Sequence, residues 1–235
     1  MVNFIKPHWI LLALFIPAAP SPLHPSSPSP PYIASLQYHF SAVPNSKQRR
    51  PRRRLGGRGN GNICVLSPGL LEQQNIIWSD RPLFVWNAPP EVTMQQLEVI
   101  DETRRLVWEK SLAATDQTAR YEGQPLQPGQ FYTWRLYWRV QNAQYSADYT
   151  FQLMEANQRN PMTADLQSLT RPLPTAQSSP EAIAHQQVNY LLNRSEPLWS
   201  DALQVLYSIE NPSSQTTQQI QDWINRACSN EERQR

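Results

Sequence analysis

The stretch Leu126–Leu153, LQPGQFYTWRLYWRVQNAQYSADYTFQL, decides the fold. Read two residues at a time, Tyr132, Trp134, Leu136, Trp138 and Val140 share one face of a strand, and Thr133, Arg135, Tyr137 and Arg139 share the other. The second half repeats the pattern, with Tyr145, Ala147, Tyr149, Phe151 and Leu153 alternating with Ser146, Asp148, Thr150 and Gln152. Reversing the chain at Asn142-Ala143 pairs Trp138 with Ala147, Leu136 with Tyr149, Trp134 with Phe151 and Tyr132 with Leu153, all on the apolar side. The polar side then sets Arg139 against Ser146, Tyr137 against Asp148 and Arg135 against Thr150. Cross-strand pairs contribute only ~0.2–1 kcal/mol each, so this hairpin needs a second sheet to cover its indoles. The aromatic strip therefore reads as core. The opposite face, Arg135, Tyr137, Arg139 and Asp148, is the candidate binding surface, and its plainer reading is the solvated side of a sheet.

The preceding residues supply a second sheet. From Ile63, short apolar runs alternate with turn signals every eight to twelve residues, the spacing of an antiparallel sandwich. Ile63–Leu66 ends at Ser67-Pro68-Gly69, a short piece follows at Asn75–Trp78, and Pro82–Trp86 ends at Asn87-Ala88-Pro89-Pro90. Met94–Ile100 turns through Asp101–Arg104 into Arg105–Leu112, which sets Val99 opposite Leu106 and Leu97 opposite Trp108. Ala119–Glu122 adds a further short strand.

Leu126-x-Pro128-Gly129-x-x-Tyr132-x-Trp134 resembles the turn into the sixth strand of fibronectin type III-like domains, where the tyrosine makes a corner. Leu83–Trp86 with Pro89 is similar to the second strand of that fold. The resemblance covers residues 63–154 and implies an immunoglobulin/fibronectin III-like β-sandwich. The order Gly57–Pro68, PLFVWNAP, YTWRLYW and then a helical segment resembles an exported, mainly cyanobacterial family of unknown function. That likeness implies architecture and compartment, and no mechanism.

The ends of the chain read differently. Residues 1–19 have the pattern of a signal peptide: Lys6, then the apolar run Trp9–Ile16, then Pro17-Ala18-Ala19. A spanning helix needs about 20 apolar residues and this run is far shorter, so a cleaved signal peptide is the better reading and an uncleaved N-terminal anchor the rival. Residues 20–62 form a spacer rich in Pro and Ser that passes into an Arg/Gly-rich linker. Arg49, Arg50, Arg52, Arg53, Arg54 and Arg58 make a candidate polyanion-binding arm; a solvated linker is the plainer alternative. The glycines after them form no phosphate loop, because no Gly-Lys-Ser/Thr follows.

Residues 155–178, which include Pro161, read as a linker, and residues 179–230 as a small three-helix segment. Ser179-Pro180-Glu181 carries an N-cap, a first-turn proline and a favourable first-turn charge. Ser195-Glu196-Pro197 opens a second helix, and Ile220, Trp223, Ile224, Ala227 and Cys228 line a third. Cys64 and Cys228 are the chain's two cysteines. An exported chain makes them a candidate disulfide, and their apolar surroundings suit two independent buried thiols equally.

The expected molecule is mainly β with an α segment, exported to the periplasm or beyond, and without a cofactor. His8, His24, His39 and His185 never fall at metal-ligand spacing, and two distant cysteines build no zinc site. His185 reads as a surface helix residue with no nucleophile motif near it. Asp101, Glu102, Glu98 and Glu109 read as solvated carboxylates at a turn and on outward strand positions. The leading expectation is a non-catalytic interaction or scaffolding module of the cell envelope whose partner is an envelope or extracellular protein or glycan. A net charge of +2 disfavours nucleic acid as a bulk electrostatic partner. Two alternatives stand beside it: a carbohydrate-active or envelope-processing enzyme using acidic residues, and polyanion binding through the arginine arm.

Overall fold

The computed structural model describes residues 63–69, 75–170 and 179–232. The described residues are mainly β, with eight strands in two sheets and four helices among them. Strands β1 (Cys64–Ser67), β3 (Leu83–Asn87) and β6 (Thr118–Arg120) form the smaller sheet in the order β1-β3-β6. The larger sheet runs β2-β8-β7-β4-β5, from β2 (Ile76–Ile77), β8 (Ala143–Leu153), β7 (Phe131–Val140), β4 (Val92–Asp101) and β5 (Leu106–Ser111). Helix α1 spans Ala156–Leu169, α2 Pro180–Leu192, α3 Trp199–Tyr207 and α4 Ser214–Glu232. No helix among the described residues is long and apolar enough to cross a membrane.

The two sheets face each other across one apolar core. Phe84, Trp86 and Val65 of the smaller sheet meet Leu97, Val99, Trp134, Leu136 and Phe151 of the larger. Phe84 stacks on Trp108 and tilts against Trp134, with centroids 6.0 and 5.0 Å apart. Buried indoles need a partner for their N–H: Trp86 Nε1 donates to Asp116 O at 2.8 Å and Trp134 Nε1 to Pro68 O at 3.3 Å.

Strands β1 and β3 are buried on both faces. Cys64, Leu66, Leu83 and Val85 point away from the larger sheet into a second core, built with Met162, Leu166, Val188, Leu191, Ala202, Leu206, Trp223 and Ile224 of the four helices. A continuous apolar run such as LFVW marks a strand covered on both sides. The helices are therefore a third layer that completes the smaller sheet. Cys64 and Cys228 are joined by a disulfide, with Cα atoms 5.6 Å apart, which ties β1 to α4.

The structure corrects several expectations. The hairpin register is displaced by two residues: Trp138 pairs with Tyr145, Leu136 with Ala147, Trp134 with Tyr149 and Tyr132 with Phe151. The cause is a two-residue turn, Gln141-Asn142, in which Gln141 takes φ 54°. An even shift leaves every side chain on its expected face. Val99 opposes Trp108 rather than Leu106, because a bulge between Val99 and Ile100 places Ile100 opposite Leu106. Leu106 consequently lies 47% exposed.

The expected linker 155–178 holds α1 over 156–169; residues 171–178 lie outside the described residues. Pro161 sits inside this helix, and Met162, Leu166 and Leu169 at i, i+4 and i+7 anchor it on the second core. The expected signal peptide, spacer and arginine arm all lie outside the described residues.

Candidate functional site

The candidate residues stand on the outer face of the larger sheet, opposite the side that the smaller sheet covers. Regular alternation on β7 and β8 puts them there. Arg135 and Asp148 are direct cross-strand partners, so the two-residue shift joins Asp148 to Arg135 and not to Tyr137. Their contact is a fork: Arg135 Nε donates to Asp148 Oδ1 at 2.6 Å and Nη2 to Oδ2 at 2.9 Å. Paired N–H groups fit a carboxylate in this bidentate way. Arg135 Nη1 also donates to the Tyr137 hydroxyl at 3.5 Å, and that hydroxyl donates to Glu98 Oε2 at 3.0 Å. The Asp148 hydrogen bond, then that of Tyr137, raises the Arg135 pKa and holds the guanidinium protonated.

The ladder continues across β4 into β5. Gln96 Nε2 donates to Glu109 Oε2 at 2.9 Å and to Glu98 Oε1 at 3.4 Å, which separates two carboxylates that face each other across the strands. Arg139 is exposed and, among the described residues, has no ion pair or hydrogen-bond partner for its side chain. The face is thus a rigid polar ladder of mixed sign with one free cation at its end. Glu98 and Glu109 do face outward as expected. Asp101 does not: it is buried at the β4–β5 turn, where Oδ1 accepts from the Thr103 hydroxyl, Thr103 N and Arg105 N. The Thr103 hydroxyl is the foremost cause of its lowered pKa.

A second polar cluster lies where the segment between β2 and β3 meets the helices. Asp201 of α3 is buried and accepts from Trp78 N at 2.8 Å and Ser79 N at 2.9 Å. Burial pushes its pKa up to about 6, against the opposing effect of those two donors and of Arg159. Gln204, one turn on, accepts from Leu83 N at 2.8 Å and donates to Ser79 Oγ at 3.0 Å. Arg159 of α1 donates to Trp78 O at 2.9 Å, pairs with Asp80 at 2.8 Å and lies 5.8 Å over the Trp78 ring. These groups satisfy the backbone between β2 and β3 and the first N–H of β3, which makes the cluster a docking device for the helical layer.

His185 departs from its expected surface place. Its side chain is 12% exposed, with Nε2 3.0 Å from Thr216 Oγ1 and 3.9 Å from Glu181 Oε1, and burial lowers its pKa. Glu181 in turn accepts from Ser213 N, Ser213 Oγ and Thr216 Oγ1, closing the start of α4. A serine-type triad sets the carboxylate on the imidazole nitrogen away from the hydroxyl. Here both partners crowd one nitrogen, and Nδ1 is buried without a partner among the described residues. Among the described residues, no group of three or more His, Cys, Asp or Glu side chains is placed to hold a metal ion.

Asp201, Gln204 and Arg159 went unsingled in the sequence, although one signal was available. Asp201 sits within WSDALQVLY, a helix whose apolar residues surround it on nearly every side.

No family model matches the chain, and no curated protein matches it. Among solved structures it matches an alpha-L-rhamnosidase from Dictyoglumus thermophilum at 19% identity and a TM-score of 0.26. The match covers 35% of this chain and 11% of that one, and a likeness at that level carries no argument about fold or activity.

Proposed function

We propose that the chain is a non-catalytic, exported interaction module of the cell envelope that engages a protein or glycan through the outer face of its larger sheet. One observation carries this reading: Asp148, Arg135, Tyr137, Glu98, Gln96 and Glu109 form a pre-ordered polar ladder on rigid strands, with Arg139 exposed at its end. A site on strands loses little side-chain freedom when a partner docks. The β part is read as fibronectin III-like. The two strand orders and the bond from Gln127 N to the Tyr132 hydroxyl, 2.8 Å, support that reading, as a tyrosine corner requires. The resemblance to an exported family and the leader-like first segment support the compartment.

The test is retention of envelope proteins and glycans on the immobilised full chain. Substituting Arg139→Glu is expected to lower retention about tenfold while leaving the melting curve unchanged, since rim-like charges act on association more than on folding. Retention unaffected by Arg139→Glu and by Tyr137→Phe would remove this face as the binding surface. Turnover of an envelope glycan that Asp148→Asn abolishes would replace the module by the enzyme reading.

A further inference from the structure

Away from the outer face, three buried side-chain atoms have no hydrogen-bond partner among the described residues: His185 Nδ1, Asn189 Oδ1 and Gln219 Nε2. Native interiors almost always satisfy such groups, with protein or with ordered water. The three atoms belong to one seam. His185 and Asn189 lie four residues apart on α2, one above the other on the same face. Gln219 lies three residues beyond Thr216 on α4, and Thr216 Oγ1 is 3.0 Å from His185 Nε2. The two helices start level, where Glu181 meets Ser213 and Thr216. They then run in the same direction into the second core, to which Val188 and Leu191 of α2 and Ile220 and Trp223 of α4 belong. A step of one turn from the His185–Thr216 contact, about 6 Å on α2 and about 4.5 Å on α4, brings Asn189 and Gln219 level with each other.

Hydrogen bonding fixes the protons around this point. Glu181 only accepts: hydrogen bonding from the Thr216 hydroxyl, foremost, holds its carboxyl below the usual range, so the group is ionised. Thr216 gives its single hydroxyl proton to Glu181. Its oxygen can therefore only accept from His185, so Nε2 carries the ring hydrogen and Nδ1 presents a bare lone pair. Burial, opposed by Glu181, lowers the His185 pKa and keeps this ring neutral at neutral pH. The seam thus sets two acceptors, His185 Nδ1 and Asn189 Oδ1, beside one amide donor, Gln219 Nε2, and none of the three bonds another. A water molecule has the matching set, two O–H groups to donate and an oxygen to accept. A cation would meet the amide N–H, and an anion would meet both lone pairs.

We propose that α2 and α4 enclose an ordered water that donates to His185 Nδ1 and Asn189 Oδ1 and accepts from Gln219 Nε2. About three hydrogen bonds are the usual complement of a buried water. The seam is then polar over two successive turns, first through the Glu181 carboxylate and next through this water. Hydrogen bonds are directional, so the two contacts together fix how far α4 slides along α2.

Nuclear magnetic resonance of the isotopically labelled full chain at neutral pH tests the proposal. The ring nitrogen shifts of His185 are expected to show a neutral imidazole protonated at Nε2. Water cross-peaks are expected at the Gln219 side-chain amide protons, with the sign of a long-lived bound water and not that of proton exchange. Magnetic relaxation dispersion counts such waters, and Gln219→Leu, which removes the donor, is expected to hold one fewer than the parent. A ring protonated at Nδ1 overturns the proposal. So does a Gln219 amide without a bound-water cross-peak, the result expected of a direct bond between Asn189 and Gln219. An unchanged count in Gln219→Leu overturns it as well; should that variant fail to fold, the parent's own spectra decide.

Discussion

At the scale of single residues, Asp201 is the most consequential group in the molecule. It is buried and accepts two backbone N–H groups, so Asp201→Ala leaves both donors unsatisfied. Each buried orphan costs about 1–3 kcal/mol, and a lower urea midpoint with unchanged m-value is the expected result. The pH dependence has a definite sign. The folded pKa, about 6, lies above the unfolded value of 3.8, so the proton is held more tightly in the folded state. That contribution is fully present below pH 3.8 and is lost as pH rises through about 6. Urea midpoints measured from pH 4 to 7 are expected to fall less steeply in Asp201→Asn than in the parent. Glu181 acts in the opposite sense. The Thr216 hydroxyl is the foremost cause of its lowered pKa, so its contribution is present above the unfolded value of 4.5 and is lost as pH falls through the folded value. In Thr216→Val the stability lost on acidification should shrink. The outer-face residues were legible because strand alternation alone assigns a face. Asp201 and Glu181 were not, because their partners lie 122 and 32 residues away in sequence.

At the scale of elements, the alternating strands β7 and β8 were readable in outline and misread in register. Period two carries no information about which residue opposes which, and a Gln-Asn turn lacks the glycine that would announce it. Helix α1 was hidden by Pro161 and by having only three apolar anchors in fourteen residues. Helix α2 was visible from its cap, since Ser179 Oγ does accept from Ala182 N at 3.2 Å. The turn into β7 offers a clean test. Gly129 has φ +81°, a conformation other residues adopt at a cost, and an added Cβ would meet Glu155 Oε2 at 2.7 Å. Glu155 can swing aside, so the backbone term dominates. Gly129→Ala is expected to lower stability by about 1–2 kcal/mol, read from chemical denaturation.

At the scale of the whole molecule, the helices cannot be treated as a detachable tail. Removing residues 179–235 would strip Leu66, Leu83 and Val85 of most of their neighbours and leave Cys64 without its partner. Such a truncation is expected to show exposed apolar surface by dye binding and no cooperative melt, so point substitutions on the outer face are the informative probes of binding. The disulfide spans 164 residues, and closing a loop of that size in the unfolded chain is worth on the order of 5 kcal/mol in the chain-entropy account. Replacing both cysteines by alanine is expected to lower stability by at most that amount, and reductant should lower the parent's urea midpoint but not that of the double variant. The β-rich character with a helical segment was legible from texture. The sharing of β1 and β3 between two cores was not, because both strands are too short for periodicity to tell one buried face from two.

That sharing sets an order of events during synthesis. Cys64 leaves the ribosome 164 residues before Cys228, and the face of β3 that bears Leu83 and Val85 emerges long before α3 and α4. The inner core between the sheets can close while the C-terminal fifth of the chain is still being made. The outer side of the smaller sheet cannot, and the Cys64 thiol and an apolar strip stay uncovered until α4 arrives. The uncovered interval is thus long, running from the emergence of β1 to that of α4.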